Sequence, residues 1–113
     1  MIIAAENLRV EQRTGERLGT STKLLEESQM HGEAKVFARV LLKPGSRAPL
    51  HQHVGSFEAF YILAGQGLVN DNGTMQAVHV GDVVFTDDGE SHSIENTGDT
   101  DLEYIALVIN TSK

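Results

Sequence analysis

Short apolar runs broken by turn residues set the rhythm of this chain. Lys35 to Leu42 (KVFARVLL) is apolar and β-branched and ends at Pro44-Gly45, and Phe57 to Leu63 (FEAFYIL) is closed by Gly65 and Gly67. Gly67 to Val69 leads into Asn70-Asp71-Asn72-Gly73, residues that tolerate positive φ and favour a hairpin turn. Met75 to Val80, Val83 to Thr86 and His92 to Glu95 follow as short strands, each ended by a turn rich in Gly, Asp or Asn. Leu102 to Ile109 (LEYIALVI) is the last long strand. Ser21 to Met30 fits either one or two helical turns or a strand followed by a loop. Many short strands with such turns between them predict an all-β sandwich or barrel.

With 113 residues and no repeat, low-complexity tract or linker, the chain reads as a single domain, 1–113. Residues 35–110 form the expected barrel core. Residues 1–34 are expected to be an N-terminal extension adding edge strands, to its own sheet or to a neighbour's. The exposed edges of such a barrel and the apolar strand Leu102 to Ile109 lead to the expectation of a homodimer.

Composition narrows the functional classes. Hydrophobic residues make up 40% and charged residues 22%, as in soluble globular proteins. No apolar run approaches the roughly 18 residues of a membrane span, and the N-terminus lacks the marks of a secretory signal, so a cytoplasmic location is expected and a membrane partner is not. Cysteine is absent, which excludes disulfides, thiolate chemistry and sulfur-ligated zinc. The net charge is −7 and the nine Lys and Arg residues form no stripe, so nucleic acid is not an expected partner.

Three of the five histidines stand together in a pattern with one glutamate: His51, His53, Glu58 and His92. Alternate residues of a strand share a face, which places His51 and His53 roughly 6.6 Å apart on one side. The Val54-Gly55-Ser56 interruption shifts the parity, so that Glu58 joins that face and Phe60 and Ile62 follow it inward to line a cavity. Ala59, Tyr61 and Leu63 then point to the other side, and Gln52 also faces away. Arg39 and Arg47 are candidates to reach the cavity and fork onto a substrate carboxylate, with Arg39 the substrate-pocket candidate alongside Phe60 and Ile62. His31, His79, Glu33, Glu90 and Glu95 read as surface groups.

The spacing itself has a family likeness. Gly45, five residues, His51, one residue, His53, four residues, Glu58, six residues, Gly65 forms a first motif. Gly81, seven residues, Gly89, two residues, His92, three residues, Asn96 forms a second, fifteen residues further on. Together they resemble the two signature motifs of the cupin superfamily, and in particular its small oxalate-decarboxylase-like single-domain members. The one departure is Asp87, where the family usually has proline; Asp holds a turn by bonding to nearby backbone amides. The resemblance implies a double-stranded β-helix, or jelly-roll, barrel. It also implies that His51, His53, Glu58 and His92 ligate one divalent metal.

Nitrogen and oxygen ligation suits harder or borderline divalent ions, Mn and Fe first, with Ni, Co and Zn also compatible. Three neutral imidazoles and one carboxylate on such an ion leave a net charge of about +1 and an open coordination position, which favours a small anionic ligand. Two functional classes follow. One is a metal-dependent enzyme (lyase or decarboxylase, dioxygenase, isomerase) acting on a small carboxylate, keto or enolisable compound. The other is a non-catalytic protein that binds or senses such a molecule through the same metal.

Overall fold

A computed structural model of the chain describes residues 1–111. Its strands are β1 (Arg9–Arg13), β2 (Gly19–Lys23), β3 (Ala34–Leu42), β4 (Arg47–Gln52), β5 (Ser56–Ala64), β6 (Gln66–Asp71), β7 (Thr74–His79), β8 (Val83–Thr86), β9 (Ser91–Asn96) and β10 (Leu102–Asn110). They form a six-stranded sheet in the order β1-β2-β3-β10-β5-β8 and a four-stranded sheet in the order β4-β9-β6-β7. Every pairing is antiparallel. Two such sheets packed face to face make the all-β jelly-roll barrel expected from the pattern.

Period-two burial explains why these segments are strands. Leu102, Tyr104, Ala106 and Val108 of β10 are buried, as are Ser56, Glu58, Phe60 and Ile62 of β5 and His92, Ile94 and Asn96 of β9. The apolar members of these rows meet Val40, Leu42, Val69, Val78 and Val84 in one core between the sheets. The β6–β7 hairpin turns through Asn72 and Gly73 at φ 51° and 100°, the conformation a two-residue hairpin loop of this kind requires.

Three expectations about the frame are sharpened or corrected. The first two strands pair within the chain's own sheet, β1 with β2 and β2 with β3, so that β1 is an edge of the six-stranded sheet. Ser21 to Met30 resolves into the end of β2 and a short 3₁₀ turn, Glu27–Met30. The strand Leu102 to Ile109 lies between β3 and β5 in the middle of the six-stranded sheet. Leu102, Tyr104, Ala106 and Val108 are spent on the core, Ile105, Leu107 and Ile109 are half-buried on the other face, and the strand offers no edge to a second subunit.

Two residues close the corner where β9 leaves the barrel. Asn96 is 1% exposed; its Nδ2 donates to the carbonyls of Leu42 and Thr100, both at 2.8 Å, and its Oδ1 accepts from the Gly98 amide at 2.9 Å. Gly65 has φ +83°, and a Cβ there would meet the Asp101 carbonyl oxygen at 2.5 Å, so only glycine fits. Asn96→Ala removes three hydrogen bonds, one of them to the buried Leu42 carbonyl. We expect it to cost about 3 kcal/mol in chemical denaturation, at about 1 kcal/mol per bond.

Candidate metal centre

The four candidate ligands reach one point from both sheets. His51 stands directly opposite His92 in the β4–β9 ladder. His53 lies just past the end of β4, where its amide donates to the Glu90 carbonyl at 3.0 Å and its carbonyl accepts from the Gly89 amide at 2.7 Å, so the pairing continues. Glu58 comes across from β5 in the other sheet, opposite Thr86 of β8.

Their Nε2 and carboxylate atoms converge. His92 Nε2 lies 3.1 Å from both His51 Nε2 and His53 Nε2, and Glu58 Oε1 lies 2.9 Å from His53 Nε2 and from His92 Nε2. His51 Nε2 and Glu58 Oε1 are 4.0 Å apart. Bonds of about 2.1 Å at right angles put neighbouring donors about 3.0 Å apart and opposite donors about 4.2 Å apart, whereas a tetrahedral set would need about 3.4 Å throughout. The observed separations are therefore closer to those of a six-coordinate shell than to a tetrahedral one, and all four residues could hold one ion.

Hydrogen bonding supports the same conclusion. His51 Nδ1 lies 2.8 Å from the Pro49 carbonyl, which can only accept, so Nδ1 carries the proton and Nε2 presents a bare lone pair. His92 Nδ1 lies 2.7 Å from the Thr86 hydroxyl, which can accept the proton of the matching tautomer. Glu58 is 7% exposed and, among the described residues, pairs only with imidazoles. A cation among these atoms would be met by the buried carboxylate and by the imidazole nitrogens together. Burial holds the His53 imidazole below the usual histidine value of 6.5 against the attraction of Glu58, and so favours its neutral, ligand-competent form. Phe60 stacks on the His92 ring, centroids 5.0 Å apart and planes 18° from parallel, which fixes that ring's plane.

An open cavity of about 380 Å³ adjoins the cluster. His51, His53, Glu58 and Phe60 border it. Ile62 also points inward but is buried in the core at 1% exposure, deeper than the cavity wall. Arg39 is a correction: Ala38 and Val40 take the inward phase of β3, which leaves Arg39 exposed on the outer face. Arg47 is also exposed and bonds Glu16 at 3.1 Å. Tyr61 is half-exposed on the outside, whereas Gln52 reaches the cavity rim and donates to the Gly89 carbonyl at 2.9 Å. His31 and His79 are exposed. The Asp87 carboxylate accepts from the Asp88 amide at 2.8 Å, a side-chain bond to backbone in the turn where the family usually has proline.

Sequence reasoning missed two residues beside the cluster. Thr86 is fully buried behind His92, and its alternation with Val84 was the available signal. Tyr104 shares the inward phase of β10 and lines the cavity. Burial first, then the Glu58 carboxylate, push its phenol far above the ordinary value of 10, so it stays protonated and able to donate.

A small jelly-roll barrel with a histidine-rich, carboxylate-containing pocket between its sheets defines the class. Residues 38–109 match the cupin domain model, and the chain belongs to the cupin family. It is 56% identical over 86 residues to an oxalate-binding protein of Thermotoga maritima, covering 76% of this chain and 71% of that one. The crystal structure described as a predicted oxalate decarboxylase from Thermotoga maritima superposes with a TM-score of 0.88 at 46% identity, covering 97% of this chain and 99% of that one. The cupin domain of Schizosaccharomyces pombe Cnp3 shares the fold, with a TM-score of 0.77 at 18% identity over 95% of this chain and 72% of that one.

Two outcomes test this geometry. Thr86→Val keeps the shape but removes the hydroxyl behind His92, and should weaken metal binding 10- to 100-fold in a chelator competition, while His79→Ala leaves it unchanged. Because the folded His53 value lies below 6.5, the unfolded chain binds more protons just below that pH. The metal-free protein should therefore lose denaturation midpoint as pH falls from 7 to 5.5, and His53→Gln should flatten that slope.

Proposed function

We propose that the protein binds a small carboxylate of the oxalate type on a divalent transition metal, Mn or Fe before Ni, Co or Zn, held by His51, His53, Glu58 and His92. The observation that carries this reading is the donor set. Three imidazole nitrogens and one carboxylate oxygen have the separations of a six-coordinate shell with positions to spare, and they face a cavity. Six-coordination with nitrogen and oxygen donors suits Mn(II) and Fe(II) better than a closed four-coordinate zinc site. A bound ion would supply a cationic, open position that attracts and polarises an oxygen ligand.

The chain's own residues do the rest. Burial and the Pro49 and Thr86 contacts keep the imidazoles aimed and ready to ligate. Phe60 and Ala106 give the pocket an apolar wall, and Tyr104 presents a protonated hydroxyl to an anionic guest. The oxalate-binding protein of Thermotoga maritima supports a small dianion as the ligand. Turnover is the second reading, favoured by the crystal structure described as a predicted oxalate decarboxylase.

Untagged protein should carry a stoichiometric divalent metal by elemental analysis, and His51→Ala should lose it. Calorimetry on the metal-loaded protein should show oxalate binding. Metal that persists in His51→Ala would sink the ligand assignment. Incubation with oxalate, keto acids and diketones, followed by product analysis, then separates binding alone from catalysis.

A further inference from the structure

The N-terminal extension brings charge to the pocket. Arg13 ends β1, Arg17 sits in the following Gly15–Arg17 turn, and both line the cavity together with Lys35 of β3. The chain as a whole has 16 Asp and Glu against 9 Lys and Arg, yet among the described residues Glu58 is the only acid on this lining. The cations are also under-used. Arg13 meets Glu11 only loosely, at 3.7 Å, and no described carboxylate lies in ion-pair range of Arg17 or Lys35. Both arginines are partly shielded from water, which strengthens any anion contact they make.

Their placement is fixed by the fold. Arg13 pairs with Gly19 across the β1–β2 hairpin, and a Cβ on Gly19 would collide with the Leu41 carbonyl, so the turn lies close against β3. The Lys43 amide donates to the Leu18 carbonyl at 2.9 Å, and Arg47 donates to Glu16 at 3.1 Å, tying the turn to β4, the strand that carries His51. The Tyr104 phenol lines the same cavity and, besides its burial, feels both sets of charges: Glu58 raises its pKa, and Arg13 and Arg17 lower it.

Resting on the reading that a carboxylate meets the metal cluster, we infer that Arg13 and Arg17 clamp the second carboxylate of a dicarboxylate spanning the cavity. This makes the N-terminal hairpin the element that sets ligand specificity. Guanidinium groups present planar forks that match carboxylate geometry, and a cavity of about 380 Å³ accommodates a dicarboxylate longer than oxalate.

The test is calorimetry on metal-loaded full-length protein with acetate, oxalate and succinate, with metal content and melting temperature measured in parallel. In the Arg13→Gln/Arg17→Gln variant the ratio of succinate to acetate affinity should fall at least tenfold, while the oxalate to acetate ratio changes less. Arg39→Gln, which removes the same charge from the outer face, should keep the wild-type ratio. If the glutamine pair does not fold, Arg13→Lys/Arg17→Lys retains charge and stem while losing the fork, and should lower the ratio by a smaller factor. An unchanged ratio in the folded double variant, or an equal loss in Arg39→Gln, overturns the clamp and leaves the carboxylate reading standing. No binding of any of the three anions to metal-loaded wild type overturns both.

Discussion

The site depends on strand register. His51 faces His92 across one ladder and Glu58 faces Thr86 across another, on opposite sheets. A one-residue slip in either ladder would turn a ligand outward, because neighbouring strand residues point to opposite faces. The register is fixed by the same alternation that fills the core. Ile94 follows His92 inward on β9, and Phe60 and Ile62 follow Glu58 on β5, so apolar burial and ligand convergence are one choice. The polar cluster is thus held by hydrophobic packing that would be lost in any other pairing.

What the sequence revealed follows from which signals are local. Strand positions, the Asn72-Gly73 turn and the inward phase of Glu58, Phe60 and Ile62 depend on neighbours within a few residues, and they were legible. The roles of Thr86, Tyr104, Arg13 and Arg17 depend on which strands lie side by side, and no local pattern states that. Arg39 shows the limit most clearly. Its strand is apolar on both faces near the arginine, so either phase was open, and small Ala38 with Val40 took the interior. The homodimer expectation leaned on an apolar strand that the sheet order places at its centre.

Small residues make the pocket possible. Ala38, Ala48 and Ala106 line the cavity at positions where larger side chains would have packed it shut. The space they leave lies between the imidazole cluster and the arginine-bearing hairpin. With a divalent ion held by the cluster, a ligand entering it would meet cationic groups at both ends, within a chain whose net charge is −7. Selectivity then comes from the distance between charges as much as from their number.

The chain contains no tryptophan and two tyrosines. Tyr61 stands half-exposed on the outer face, while Tyr104 lines the cavity within the field of Glu58. Its ultraviolet emission therefore has two sources in unlike surroundings, one in contact with solvent and one beside the cluster. Whatever fills the cavity shares space with the second phenol and leaves the first untouched. Filling the cavity should therefore change the emission of one phenol and leave that of the other in place.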